Sequence, residues 1–231
     1  MSAGRRPPQL VVARDAPAEA ATRIVARLQE VLDERPRATL ALSGGTTPAP
    51  MLRHLAATPF EWGRVDIVQV DERVAPDGHP DRNATMIAAL APPEAVLHLM
   101  PVTASDLDAA ARSYAELLAR LAPDGRLDVV HLGVGDDGHT ASWPPGDPVV
   151  EVTDTDVALA GPYQGRRRMT LTVPAVNRGR HRVLLVTEAS KAPVVARYLD
   201  GDPDLPVTRV VGESTVVVAS PDAAPGGTVR S

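Results

Sequence analysis

The residue with the most chemical reach in this 231-residue chain is His139, set in Asp136-Asp137-Gly138-His139-Thr140-Ala141-Ser142. An imidazole takes a proton from water near neutral pH, and Asp137 stands close enough in sequence to hold its tautomer and steady the imidazolium. Taken alone, His139 also reads as a structural loop histidine. The other histidines, His54, His79, His98, His131 and His181, make no metal-ligand spacing with it, so no metal is expected.

A second segment, Ser43-Gly44-Gly45-Thr46-Thr47-Pro48, combines glycines that free the backbone, hydroxyls that donate, and a proline suited to a first helical turn. Unpaired N–H groups at such a turn, with the helix dipole behind them, favour a phosphate. The same segment also reads as a plain turn with Thr47 capping the helix. No lysine follows in the position a P-loop requires. Positive charge for an anionic ligand is available from Arg166-Arg167-Arg168 and Lys191, although an arginine run is usually solvated. Asp71 and Glu72 read either as paired acid and base or as strand-end acids bridging to Arg73 or Arg82.

These segments need a scaffold that brings them together. Short Val- and Leu-rich runs alternate with segments of helical period, the pattern of βαβ units around a parallel sheet. Strands are expected over Gln9–Ala13, Thr39–Leu42, Val65–Val70, Asp128–Leu132, Met169–Val173, Arg182–Thr187 and Thr215–Ala219. Helices are expected over Ala18–Leu32, Pro48–Ala57, Asn83–Leu90, Leu107–Leu121 and Ser190–Leu199. The fold class is therefore α/β, an open, doubly wound, mostly parallel sheet with helices on both faces. One domain is expected over residues 1–219, with a loose Pro-, Gly- and Ala-rich tail over 220–231. In such sheets ligands bind beyond the carboxyl ends of the strands, which is where Ser43–Pro48, Asp71–Asn83 and Gly133–Pro148 fall.

Several chemistries are excluded. Gly133-Val134-Gly135-Asp136-Asp137-Gly138 matches the dinucleotide pattern, and Asp154 and Asp156 lie near the distance of a ribose-binding acid. Pro144, Pro145 and Pro148, however, interrupt the helix that fold needs, so no nicotinamide or flavin cofactor is expected. There is no cysteine for a thiolate nucleophile or disulfide, and no G-x-S-x-G elbow for a serine esterase. A net charge of −5 gives no general attraction to nucleic acid or acidic lipid, no apolar run spans a bilayer, and Pro7 and Pro8 follow Arg5-Arg6 where an export signal would need apolar residues. A cytoplasmic protein acting on a small molecule, as a monomer or small homo-oligomer, is expected.

Together the segments resemble the 6-phosphogluconolactonases, which share a fold with the glucosamine-6-phosphate deaminases and the ribose-5-phosphate isomerases. The resemblance rests on Leu42-Ser43-Gly44-Gly45-Thr46-Thr47-Pro48, Val70-Asp71-Glu72-Arg73 with Asn83, Leu132 through Ser142, Arg168-Met169-Thr170 and Lys191, in order along nearly the whole chain. The deaminases continue after the histidine with Ile-Ala-Phe-Asn-Glu, whereas here Thr140-Ala141-Ser142-Trp143-Pro144 follows, without the deaminase acid. Trp143-Pro144 replaces the Leu-Phe usual in the lactonases and is expected to alter the loop wall. The resemblance implies hydrolysis of 6-phospho-D-glucono-1,5-lactone without a cofactor, with His139 as general base and Asp137 supporting it. It further implies Ser43, Gly44, Gly45, Thr46 and Thr47 with Arg168 and Lys191 as the phosphate grip, and Arg73 against the phosphate or the lactone oxygens. An amino-sugar-phosphate isomerase or deaminase using Asp71, and a non-catalytic sugar-phosphate sensor, are the rivals.

Overall fold

The computed structural model describes residues 6–226. Along them run β1 (Gln9–Val12), α1 (Ala16–Glu34), β2 (Ala38–Leu42), α2 (Ala49–Ala57), β3 (Val65–Gln69), β4 (Asp71–Arg73), α3 (Asn83–Leu90) and β5 (Val96–His98). There follow α4 (Leu107–Leu121), β6 (Val129–Leu132), β7 (Val157–Tyr163), β8 (Arg166–Leu171), α5 (Val173–Arg178), β9 (His181–Val186), α6 (Ala192–Leu199) and β10 (Thr215–Ala219).

Helix α1 shows why the pattern folds as it does. The Asp15 carboxylate accepts the Ala18 N–H at 3.0 Å, Pro17 occupies the first turn, and Ala20, Ile24, Leu28 and Leu32 form one buried stripe. Helix α4 starts the same way, with Asp106 capping Ala109 at 2.9 Å. The inner strands β2, β3 and β6 are buried on both faces. Leu40 and Leu42 of β2 pack with Ile24, Leu28 and Met51 on one side of the sheet, while Ala41, Val130 and Leu132 join Tyr114 and Leu118 on the other. Each fully buried Leu or Ile contributes about 1.5–3 kcal/mol.

Seven strands form one parallel sheet in the order β1-β10-β9-β6-β2-β3-β5. From β2 the chain proceeds outward to β3 and β5, and from β6 it proceeds the other way to β9 and β10. The reversal lies between β2 and β6, which are paired at Leu40 with Val129. Loops leaving adjacent strands in opposite directions open a crevice at their carboxyl ends, and this is where ligands of open α/β sheets bind.

The α/β class expected from the sequence is the class observed, with three corrections to its parts. Met169–Val173 is not a strand of the parallel sheet. Residues Arg166–Leu171 form β8 of a separate antiparallel sheet, β4-β8-β7, so the arginine run lies within a strand. The helix expected from Ser190 begins at Ala192, after a 3-10 turn over Ala189–Lys191. Residues 220–224, where a loose tail was expected to begin, are instead held to the rest of the protein. Ser220 donates its N–H to Val186 O and its hydroxyl to Thr187 O, and Ala223 and Ala224 are buried in the core, because alanine is small enough to pack where composition suggested looseness. Residues 227–231 of that tail lie outside the described residues. No helix among the described residues is long and apolar enough to cross a membrane.

Candidate active site

The loops after β2 and β6 and the edge of the small sheet enclose a cavity of about 400 Å³. The ten residues that the resemblance assigns to the site line it: Ser43, Gly44, Gly45, Thr46, Thr47, Arg73, Asp137, His139, Arg168 and Lys191; Glu72, Arg166 and Arg167 do not. It is also lined by Asp71, Asn83, Tyr163 and Gln164.

After β6 the chain turns tightly, with Gly135 N–H donating to His139 O at 2.8 Å and Gly138 N–H to Gly135 O at 3.0 Å. A β-carbon on Gly135 would lie 2.1 Å from His139 Nδ1, so only glycine lets the imidazole fold back over the turn. No helix follows Gly138, which is where a dinucleotide fold would place one. His139 Nδ1 lies 2.6 Å from Asp137 Oδ1, and no group among the described residues bonds Nε2. Tyr163 donates its hydroxyl to Asp137 Oδ2 at 2.6 Å and meets the His139 ring edge-on, centroids 5.2 Å apart. Burial works to raise the Asp137 carboxyl, but the hydrogen bonds from Tyr163 and His139 outweigh it and hold the group below its ordinary value. With Asp137 ionised, Nδ1 carries the proton and Nε2 the free lone pair.

Downstream, Ala141 takes a left-handed φ of 50°, a conformation costing a residue with a β-carbon about 1–2 kcal/mol. That bend sends Ser142 into the protein, where its hydroxyl donates to Asp71 Oδ2 at 2.7 Å. Trp143 then enters the core, fully buried and donating to Leu171 O at 2.8 Å, so it does not alter the cavity wall as expected.

Two cations come from the small sheet. Arg73 of β4 and Arg168 of β8 stand directly opposite each other in the antiparallel register, an arrangement that like charges disfavour. Neither makes an ion pair among the described residues, and the Nε of each is buried without a protein partner. Arg168 is 3% exposed while its neighbour Arg167 is exposed, so the arginine run is solvated only in part. Burial, with the Arg73 charge added, lowers its pKa even though Asp71 opposes the shift. Its Nη2 donates to Gln164 Oε1 at 3.2 Å, and its guanidinium lies 5.0 Å from the Tyr163 ring centroid.

The turn after β2 is also built for close approach. A β-carbon on Gly44 would strike the Asn83 side chain at 2.1 Å. Thr47 does not cap α2, since the preceding residue is Pro48 and no side chain caps the helix. Its hydroxyl goes instead to Glu188 Oε1, whose other oxygen lies 3.0 Å from Lys191 Nζ. Burial opposes the charge on Glu188, yet Thr47 and Lys191 pull its pKa down to about 2. Glu188 thus holds two of the groups assigned to the phosphate.

The acids after β3 divide. Glu72 is fully buried, accepts from the backbone of Arg73, Asn83 and Ala84, and pairs with Arg82 at 3.0 Å, which makes it the anchor of α3. Asp71 accepts from Asn83 Nδ2 at 3.3 Å as well as from Ser142, and pairs with neither Arg73 nor Arg82. Tyr163, Gln164 and Glu188 were missed in the sequence. The signal for the first two is a hairpin: Gln164 and Gly165 have φ of 52° and 78°, the two positive values of a type I′ turn, with Tyr163 paired to Arg166 across it. For Glu188 the only signal was its spacing from Lys191.

Residues 13–218 match the family model described as glucosamine-6-phosphate isomerases/6-phosphogluconolactonase. A 6-phosphogluconolactonase of Synechocystis is 38% identical over 73% of this chain and 74% of its own. One from Streptomyces coelicolor is 35% identical over 84% of each. Among solved structures, a 6-phosphogluconolactonase from Shewanella baltica superposes with a TM-score of 0.84 at 27% identity, covering 94% of this chain and 100% of that one. A monomeric glucosamine-6-phosphate deaminase superposes at 0.79 with 18% identity over 96% of this chain and 100% of its own, a likeness of fold.

Proposed function

The chain belongs to the glucosamine-6-phosphate isomerase/6-phosphogluconolactonase family, and from that premise we propose that it hydrolyses 6-phospho-D-glucono-1,5-lactone to 6-phosphogluconate, a step of the oxidative pentose phosphate pathway. The observation that carries the reading is the Asp137–His139 pair, with Nε2 unengaged, in one cavity with Arg73, Arg168 and Lys191. Nε2 of His139 takes a proton from water as its oxygen attacks the lactone carbonyl, and Asp137 steadies the imidazolium that results. Charge developing on the carbonyl oxygen is met in this reading by Arg73, which lines the same cavity. Collapse expels the ring oxygen, which takes the proton back from His139, and the carboxylic acid so formed releases its own proton to solvent as 6-phosphogluconate.

Arg168, Lys191 and the Ser43–Thr47 backbone hold the remote phosphate. The buried Arg168 guanidinium, without an ion-pair partner among the described residues, supports that role, because a phosphate supplies the opposite charge it lacks. We read the enzyme further as cytoplasmic, without a nucleic-acid or membrane partner, which the net charge of −5 and the absence of cysteine support.

The test is lactone consumption measured above the spontaneous rate in the same buffer, beside ammonia release from glucosamine 6-phosphate. Acceleration of the first without the second is expected. Ammonia release without lactone turnover would overturn the reading in favour of Asp71 chemistry.

A further inference from the structure

The hairpin tip places one residue between the base and the cation. Tyr163 spends its hydroxyl proton on Asp137 Oδ2 at 2.6 Å while Oδ1 takes His139 Nδ1 at 2.6 Å and His139 N–H at 3.1 Å. Both carboxylate oxygens are therefore fixed, and so is the plane of the carboxylate. The phenol oxygen also lies 3.3 Å from Nδ1. The Arg168 guanidinium lies over the same ring at 5.0 Å from its centroid, with Gln164 bonded to Arg168 and, at 3.4 Å, to the phenol. Burial and the neighbouring Asp137 charge raise the Tyr163 pKa to about 12, so the phenol remains a donor throughout the range in which an imidazole works.

We propose that Tyr163 is a positioning residue for the reaction, which orients His139 through Asp137 and joins that pair to the Arg168 cation of the phosphate grip. The assignment rests on the reading of His139 as the base. Tyr163 need not touch the reacting atoms. It dilutes the Asp137 charge with a second hydrogen bond, which tempers how strongly the imidazolium is held, and it stops the carboxylate from rotating away from Nδ1.

Two variants separate these roles. Tyr163→Phe keeps the ring beneath Arg168 and removes only the hydroxyl, whereas Tyr163→Leu removes both. The Phe variant is expected to lose about tenfold in kcat with KM within about twofold of wild type, the cost of a loosened base. The Leu variant is expected to lose kcat alike and to raise KM as well, because the cation–π support of Arg168 goes with the ring. Independently of turnover, the Asp137 carboxyl titration followed by NMR is expected to move upward in Tyr163→Phe, since one of the hydrogen bonds that hold it below its ordinary value is then gone. A superimposable titration in wild type and Tyr163→Phe would overturn the proposal. A displaced titration in a protein that does not accelerate lactone hydrolysis would leave the positioning role standing and sink the lactonase reading instead.

Discussion

Two histidines issue from the same strand and have opposite surroundings. His131 lies within β6, is fully buried, and has both ring nitrogens without a protein partner; burial alone lowers its pKa to about 3. His139 follows in the loop, where a carboxylate holds one nitrogen and nothing among the described residues takes the other. The first imidazole is locked neutral by desolvation and can only pack. The second has a partner for its charged form, and that partner is what allows it to exchange a proton. Chemistry in this protein therefore sits at the carboxyl end of the sheet because that is where a polar group finds polar partners, while the sheet interior silences the same side chain.

The contrast predicts unlike consequences for like substitutions. His139→Ala removes the base and should lower kcat by about 10²–10⁴-fold with little change in KM, measured by steady-state lactone hydrolysis corrected for the spontaneous rate. His131→Leu should leave kcat near wild type and change acid stability instead. The unfolded chain binds the His131 proton near pH 6.5 and the folded chain only near 3, so within that window the unfolded state holds more protons and stability falls as pH falls. Between pH 7 and pH 5 wild type should lose about 2 kcal/mol more than His131→Leu in urea unfolding; equal losses would mean that His131 finds a partner for its charge. A smaller effect is expected from the cation side of the site. Arg168→Ala should raise KM about 10-fold or more with a lesser change in kcat, as expected of a grip on a group remote from the reaction. Unchanged KM would remove Arg168 from the phosphate.

How far the site could be read from sequence follows the same division. The turn after β2 and the loop after β6 were legible because glycine, hydroxyl and histidine cluster immediately after apolar strands, and the topology reversal at β2 and β6 brings them together without further instruction. The small sheet was not legible. Strand β4 has only three residues, Gly161 and Pro162 break the alternation of β7 at an irregular register, and Gln164-Gly165 lacks the Asn or Asp that usually marks a type I′ turn. Read as a run alone, the arginines looked solvated, because the burial of Arg168 depends on the Tyr163 hairpin and on Arg73, which reaches it only through long-range pairing. Beyond its spacing from Lys191, Glu188 gave no signal for a similar reason, since its partner Thr47 lies far from it in sequence. Trp143 shows the converse error, a loop residue by sequence that the fold uses as core.

The central claim is that His139 supplies the base, and the pH dependence of kcat/KM in wild type and His139→Ala tests it most directly. Wild type should lose activity with an acid limb of one proton as the imidazole is protonated, and the variant should retain a small rate with no such limb, rising only as hydroxide does. An acid limb preserved unchanged in His139→Ala would contradict the account and assign the proton transfer to another group in the cavity.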